Sequence, residues 1–268
     1  MDFLKKIKLD SPGSIKLLKF DSDDSFGLDK EKTKEKTGKL LQRLFELQHL
    51  LYAENKKAML VVLQGMDTSG KDGLIRCLAQ GLNPQGADVI PFKAPSQDEL
   101  EHDFLWRIYK KLPAKGDITI FNRSHYEDVL VVRVHNLVPK EIWEKRYDQI
   151  NRFEKNLIEN NTVILKFFLN ISKEEQKQRL LERLKDPMKN WKFNPQDVGE
   201  RKHWNEYQKA YECVLSNCSK GQTPWFVVPS NKKWVRNFVV ASVIVDTLEK
   251  MKLKIPKPNF DPSKIKVI

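Results

Sequence analysis

The nine residues GMDTSGKDG, Gly65 to Gly73, constrain this chain more than any other stretch of it. Gly65, Gly70 and Lys71 fit G-x-x-x-x-G-K, directly after the apolar run MLVVLQG and directly before the helical GLIRCLAQGL. In that context the pattern has a mechanism. Glycines let the backbone wrap close to phosphate oxygens, the loop amides and the following helix N-terminus face the anion, and Lys71 adds a mobile cation. Gly65, Met66, Thr68, Ser69, Gly70 and Lys71 are therefore a candidate phosphate cradle, against the alternative of a Gly-rich turn with an exposed lysine.

Two features narrow the reading. The residue after Lys71 is Asp72, where an ordinary loop of this kind has Ser or Thr for Mg²⁺. Asp67 lies inside the loop, where a carboxylate repels phosphate oxygens unless a divalent cation bridges them. Asp67 is thus read as a Mg²⁺ ligand, the alternative being a carboxylate that caps the loop's own amides. Asp72 is either a nucleotide-side contact or a simple helix N-terminal charge.

Apolar runs of strand length follow at Asp88 to Phe92, Asp117 to Asn122, Thr162 to Asn170 and Pro224 to Ser230, each read as a strand buried on both faces. Helical patterns separate them. Ser96 with Glu99 and Ser172 with Glu175 make capping boxes for SQDELEHDFLWRIYKKL and SKEEQKQRLLERL, and Pro139 opens PKEIWEKRYDQINRFEKNLIEN. Leu40, Leu44, Leu47 and Leu51 mark one face of an earlier helix. The alternation predicts an α/β fold with a doubly wound parallel sheet. Residues 1–37 are polar and Lys/Asp-rich and read as a surface arm ahead of one domain, 38–268. KDPMKNWKFNPQDVG, Lys185 to Gly199, breaks the alternation and reads as an inserted lid within about 179–203.

The run DITIFN ends in NRSHYED, at a strand's carboxyl end where ligands of open α/β sheets bind. Asn122 stands where a metal-binding carboxylate is expected, so the second metal ligand is Glu127 or a water held by Asn122. Arg123 suits a bidentate phosphate clamp. Glu127 and Asp128 capping the helix HYEDVLVVRVH is the alternative. His125 and His135 read as structural or rim residues. On the lid side, Arg179 and Arg183 share a helix face, with Lys185, Lys189 and Lys192 beyond. They close over a transferring phosphoryl group, or else pair with Glu175 and Glu182 on a wet surface. Trp191, Trp204 and Trp225 read as packing anchors.

Charge points the same way. The 268 residues carry 48 Lys+Arg against 36 Asp+Glu, a net +12, and such a field attracts polyanions, nucleic acid or any dense phosphate chain, unless the excess is solvated lysine. With 40% hydrophobic residues and ordinary Gly and Pro, collagen-like and wholly disordered readings fail. No apolar stretch approaches the roughly 20 residues of a membrane span. The first residues lack an apolar export segment, and Cys77, Cys213 and Cys218 lack metal spacing, so a cytoplasmic protein with reduced thiols is expected.

Together GMDTSGKDG, FKAPSQDELEHDFLWR, FNRSHYEDVLVVRVH, RLKDPMKNWKFNPQDVGERKHW and PWFVVPSNKKW resemble the family-2 polyphosphate kinases, and the likeness runs from about Leu40 to Leu248. HYED with Glu127 is similar to the class III branch, which phosphorylates both AMP and ADP; other branches tend to carry Asn there. The resemblance implies a thymidylate-kinase-like fold with a helical lid, reversible transfer between inorganic polyphosphate and AMP, ADP and ATP, dependence on Mg²⁺ or Mn²⁺, and dimers or tetramers of identical subunits. It implies that Asp67 binds metal, that Lys71 holds the transferring phosphate, and that Arg123, Arg179 and Arg183 clamp it, joined by Lys93. Arg133, Lys185, Lys189 and Lys192 would serve the polyphosphate chain. Many members have FDRS where this chain has FNRS, so the metal role of that position passes from Asn122 to Glu127 or Asp117. No membrane and no specific nucleic acid are expected as partners. The rival readings are an ATP-dependent nucleoside monophosphate or thymidylate-type kinase, and a non-enzymatic polyanion or nucleic-acid binder.

Overall fold

The computed structural model describes residues 2–11 and 13–266, the side chains of Asp2 and Lys192 excepted. Six strands, β1 (Lys8–Leu9), β2 (Ala58–Gln64), β3 (Ala87–Pro91), β4 (Ile118–Asn122), β5 (Thr162–Asn170) and β6 (Trp225–Pro229), form one sheet in the order β1-β6-β5-β2-β4-β3. All pairings are parallel except β1 with β6. The chain steps outward from β2 to β3, returns to β4, and then crosses to β5 on the other side. The carboxyl end of β2 is therefore the topological switch point, where such sheets open a crevice.

Helices α1 (Lys30–Glu54), α2 (Lys71–Leu78), α3 (Lys140–Glu159), α4 (Lys173–Lys185), α5 (Trp204–Asn217) and α6 (Lys233–Lys250) flank the sheet. Residues of β2 divide between two cores: Met59, Val61 and Leu63 pack with α1 and α6, whereas Leu60 and Val62 pack with α3 and α5. A continuous apolar strand is what a sheet covered on both faces requires. Among the described residues no helix is long and apolar enough to cross a membrane.

Four expectations change. The helix expected from Leu40 begins at Lys30, capped by Asp29, and its buried face uses Leu41 in place of Leu40. Ahead of it the chain is not a loose arm: residues 2–7 are helical, Phe3 and Ile7 enter the core, and β1 adds an antiparallel edge to β6. Burying those two side chains stabilises each by about 2 kcal/mol, enough to fix a polar segment. At the opposite edge, β3 is not buried on both faces; Asp88, Val89 and Pro91 are exposed, as a strand with one neighbour allows. The segment from Ser96 keeps its capping box but is helical only over Gln97–Leu100 and Trp106–Tyr109. Asp103 breaks it, its carboxylate accepting from Leu105 N at 2.9 Å and its carbonyl from Trp106 N at 3.0 Å.

Candidate functional site

The loop after β2 is shaped by close approach. Gly65 has φ +153° and a side chain there would meet Leu169 O at 2.8 Å; Gly70 has φ +100° and a side chain there would run into the Arg236 guanidinium. Both positions exclude other residues. Thr68, at φ +63°, presents its carbonyl outward to Arg179 Nη1 at 2.8 Å, and Gln176 Nε2 donates to Asp67 O at 3.1 Å. Helix α4 thus braces the loop from outside. Lys71, first residue of α2, is buried and folds back so that Nζ donates to Gly65 O at 2.8 Å and Met66 O at 3.3 Å. Burial, with Arg123 nearby, pushes its ammonium down to about 8, against the pull of Asp67, Glu127 and Asp72.

The second loop leaves β4. Arg123 sits at φ +64°, held by its N donating to Leu63 O at 3.0 Å, and Ser124 caps the following turn by accepting from Tyr126 N. This turn faces Arg123 toward the first loop, where Nη2 donates to Asp67 Oδ1 at 2.8 Å and Nη1 lies 3.5 Å from Glu127 Oε2. Glu127 and Asp67 hold the guanidinium firmly charged. Asn122 Nδ2 donates to Asp72 Oδ1 at 3.0 Å, so Asp72 is both a helix N-terminal charge and the partner of the strand-end amide. Asp117 is ruled out as a metal ligand here: it precedes β4 at the amino end, about 17 Å along the strand from Asn122.

Asp67 and Glu127 flank one guanidinium, and Asn122 with Asp72 lies on the cleft side, an all-oxygen donor set. No group of three or more His, Cys, Asp or Glu is gathered for a metal among the described residues. Mg²⁺ does not ask for one, because it is held by one or two carboxylates and completes its shell with phosphate oxygens and water. The residues present therefore fit Mg²⁺.

An open cleft of about 870 Å³ runs past these groups, with nine Lys or Arg side chains on its walls against three Asp or Glu. Lys71, Lys93, Arg123, Arg183 and Lys189 reach it as expected. Arg179 reaches it only at its base. It is buried, bonded to Glu175 Oε1 at 2.8 Å, Thr68 O, Ser230 O at 2.7 Å and Asn231 O, and so is a brace and not a free clamp. Arg183 is separate from it, 3.6 Å from Asp197 across the lid. Arg133 lies away from the cleft, stacked over Trp143 and donating to Tyr147 OH at 3.2 Å. Lys185 is exposed at the end of α4 and does not line the cleft, and the Lys192 side chain lies outside the described residues. Trp204 and Trp225 are buried anchors, whereas Trp191 is 77% exposed, its indole donating to Met188 O. His125 is buried, and His135 is a rim residue 3.0 Å from Glu200 Oε2.

Arg76, Lys233 and Arg236 line the same cleft and escaped the sequence reading. Arg236 is 2% exposed, pushed down to about 10 by burial and by Arg179, and donates to Asn237 Oδ1 at 2.8 Å. A lone charge in the largely apolar run WVRNFVVASVIV was the available signal. A second, smaller cavity lies on the other side of the Asp67–Arg123 pair, lined by Glu127, Leu130, Tyr207 and Tyr211 among others. Asp67 and Arg123 border both cavities.

A chain of this architecture has close relatives. It is 48% identical to the AMP/ADP-polyphosphate phosphotransferase of Meiothermus ruber over 98% of this chain and 99% of that one, and 46% identical to the ADP-polyphosphate phosphotransferase of Rhodopseudomonas palustris over 87% and 85%. The crystal structure of polyphosphate kinase 2 from Arthrobacter aurescens superposes with a TM-score of 0.92 at 41% identity, covering 95% of this chain and 92% of that one. The profile of the polyphosphate kinase 2 family matches residues 27–256, which takes in every strand but β1 and both loops of the site. On sequence and fold together, this chain belongs to the polyphosphate kinase 2 family.

Proposed function

We propose that this protein transfers phosphoryl groups reversibly between inorganic polyphosphate and the nucleotides AMP and ADP, with Mg²⁺ or, in its place, Mn²⁺. The observation that carries the reading is the meeting of two cavities at Asp67 and Arg123, a long cationic cleft on one side and a compact pocket holding Glu127 on the other. Polyphosphate carries about one negative charge per phosphate, so a cleft walled by Lys and Arg suits the donor chain. The smaller pocket, about 30 Å³ as it stands, is too small for a nucleotide and would have to widen to admit the acceptor phosphate beside Asp67 and Arg123. The paired AMP/ADP name of the Meiothermus ruber relative supports dual acceptors, with Glu127 as the residue that admits AMP.

In the transfer, a nucleotide phosphate oxygen attacks the terminal phosphorus of the chain. A P–O bond forms, the P–O bond to the next phosphate breaks, and the departing oxygen keeps the electron pair, leaving the chain one phosphate shorter. Little covalent chemistry falls to the protein, which aligns the groups and screens their charge. Lys71 and the loop amides hold the donor end, Arg123 bridges donor and acceptor, and Arg183 with Lys93 and Lys189 covers the chain. Mg²⁺, when bound through Asp67 with Asn122 or Glu127, neutralises charge on the phosphoryl oxygens. The working unit is one domain that takes in the N-terminal helix, β1 and the start of α1 together with residues 38–268, with its lid at about 179–203, assembled as a dimer or tetramer in the cytoplasm.

The test is nucleotide chromatography after incubation with Mg²⁺, long-chain polyphosphate and AMP without ATP, beside a parallel reaction with ADP. ADP and then ATP appearing from AMP is the expected result. Product only from ADP overturns dual use, and product only when ATP is supplied overturns polyphosphate as donor.

A further inference from the structure

Beneath the Arg123–Glu127 turn lies a wholly buried polar cluster that touches neither cavity. Glu154 on α3 and Lys166 on β5 pair at 2.6 Å with both side chains at most 1% exposed. Lys166 Nζ also donates to Tyr126 OH at 3.0 Å and to Cys218 O at 2.7 Å. The Tyr126 hydroxyl in turn donates to Glu154 Oε1 at 2.7 Å, and His125 Nε2 lies 3.4 Å from the same oxygen. His125 and Tyr126 are fully buried, the former edge-on to Phe153 and the latter to Trp225.

These contacts fall on a turn whose residues face two ways. His125 and Tyr126 point down into the cluster, while Arg123 and Glu127 on either side of them point up to Asp67 and the two cavities. Arg123 holds a left-handed backbone that costs about 1 kcal/mol and persists only where its surroundings fix it. A buried, mutually satisfied ion pair contributes little net stability against apolar residues of the same volume, but it specifies one arrangement.

Resting on the reading of this chain as a polyphosphate-dependent kinase, we propose that Glu154 and Lys166 are positioning residues for the reaction. They hold the Tyr126 hydroxyl, and through it the 123–127 turn, so that Arg123 and Glu127 meet the phosphoryl group in register. Neither touches substrate. Their effect is therefore on turnover, whereas grip on the donor chain belongs to Lys71, Lys93 and the lid cations. Misplacing a catalytic cation by a fraction of an ångström suffices for a tenfold or larger loss.

Tyr126→Phe removes one hydroxyl, keeps the ring and leaves the Glu154–Lys166 pair intact. In protein that retains the native near-ultraviolet circular dichroism, kcat is expected to fall about 30-fold while KM for polyphosphate stays within about twofold. A merely structural role would not produce coupling, so the second readout is a double-mutant cycle with Arg123→Lys. The cost of Tyr126→Phe is expected to vanish in the Arg123→Lys background. As an independent route, Glu154→Leu with Lys166→Met removes both charges together and is expected to reproduce the kcat loss at unchanged KM for polyphosphate. A folded variant of either kind with kcat within about twofold of the parent, or costs that simply multiply in the cycle, overturns the proposal. Failure of the functional reading is distinct, because the unaltered protein would then form no product from polyphosphate at all.

Discussion

The floor and the roof of the cleft are built differently. On the floor, Lys71, Arg179 and Arg236 are each less than a tenth exposed and bonded to backbone carbonyls or to a side-chain amide. On the roof, Arg183 lies 3.6 Å from Asp197, and Lys189 pairs with Asp186 with half of its side chain in water. Buried charges act at short range in a poorly screened medium; exposed ones act through a field that salt weakens. The floor therefore serves the folded state, the hold on the donor's reacting end and transition-state geometry, and the roof serves capture of the rest of a long anion. Arg179 and Arg183, one helical turn apart on α4, fall on opposite sides of that line.

The comparison breaks first at Asp67. It is the carboxylate shared by Arg123 and by the candidate metal position, so Asp67→Asn should lower kcat by about 10³-fold while leaving the fold intact. Steady-state kinetics on a sample of unchanged melting temperature checks this; transfer persisting near the parental rate would move the centre of the chemistry elsewhere.

Next in size is the split between the two lid-helix arginines. Arg179→Met leaves the carbonyls of Thr68, Ser230 and Asn231 without their donor inside the protein, and should destabilise by about 3 kcal/mol. Arg183→Met should leave thermal unfolding unchanged within error. Equal melting temperatures for the two variants would erase the distinction between floor and roof.

The same split shows what could be read from residues alone. Strands β2, β4, β5 and β6 were legible because a sheet covered on both faces imposes uninterrupted apolar runs, and the phosphate loop because its glycines are forced by φ and by the approach of Leu169 and Arg236. Burial of a single charged residue leaves no such mark. Arg179 has no periodicity that separates a brace from a surface cation, since α4 looks equally wet at Arg179 and Arg183, and Arg236 shows only as a lone cation in the largely apolar start of α6. Asp117 stands just ahead of β4 and Asn122 ends it, and it is the parallel sheet, which puts the loop after β2 beside Asn122, that leaves Asp117 at the far end. Phe3 and Ile7 were invisible for the opposite reason, since two apolar side chains among lysines do not make a pattern until the sheet edge is there to receive them.

The roof should respond to salt as the floor does not. Arg183→Gln with Lys189→Gln removes one half-buried and one exposed cation from the cleft wall and should raise KM for polyphosphate about tenfold at low ionic strength, the difference fading as salt is added. A change in kcat with constant KM would place these side chains on the chemical step instead.

The smallest expected effect is a proton. Lys71 in the folded protein loses its charge near 8, well below its ordinary value of 10.5, because burial and Arg123 oppose the ammonium. For a cation depressed by folding, the unfolded chain keeps its proton between those two values, so this residue makes stability rise with pH across that window and imposes its full cost below it. Binding works in the opposite sense. A phosphate chain laid against Lys71 favours the ammonium, so above pH 8 the complex must take up a proton that the free protein has released. Affinity for polyphosphate should then fall about fivefold over the first unit above that value and by about twofold over the unit below. Calorimetric titration of polyphosphate without nucleotide, in two buffers of different ionisation enthalpy, reads the proton directly. Uptake approaching one per site in Lys71-containing protein, and absent in Lys71→Met, ties it to the floor. Equal uptake in both would assign it to a group on the roof, and the division between buried geometry and screened capture would have to be redrawn around that group.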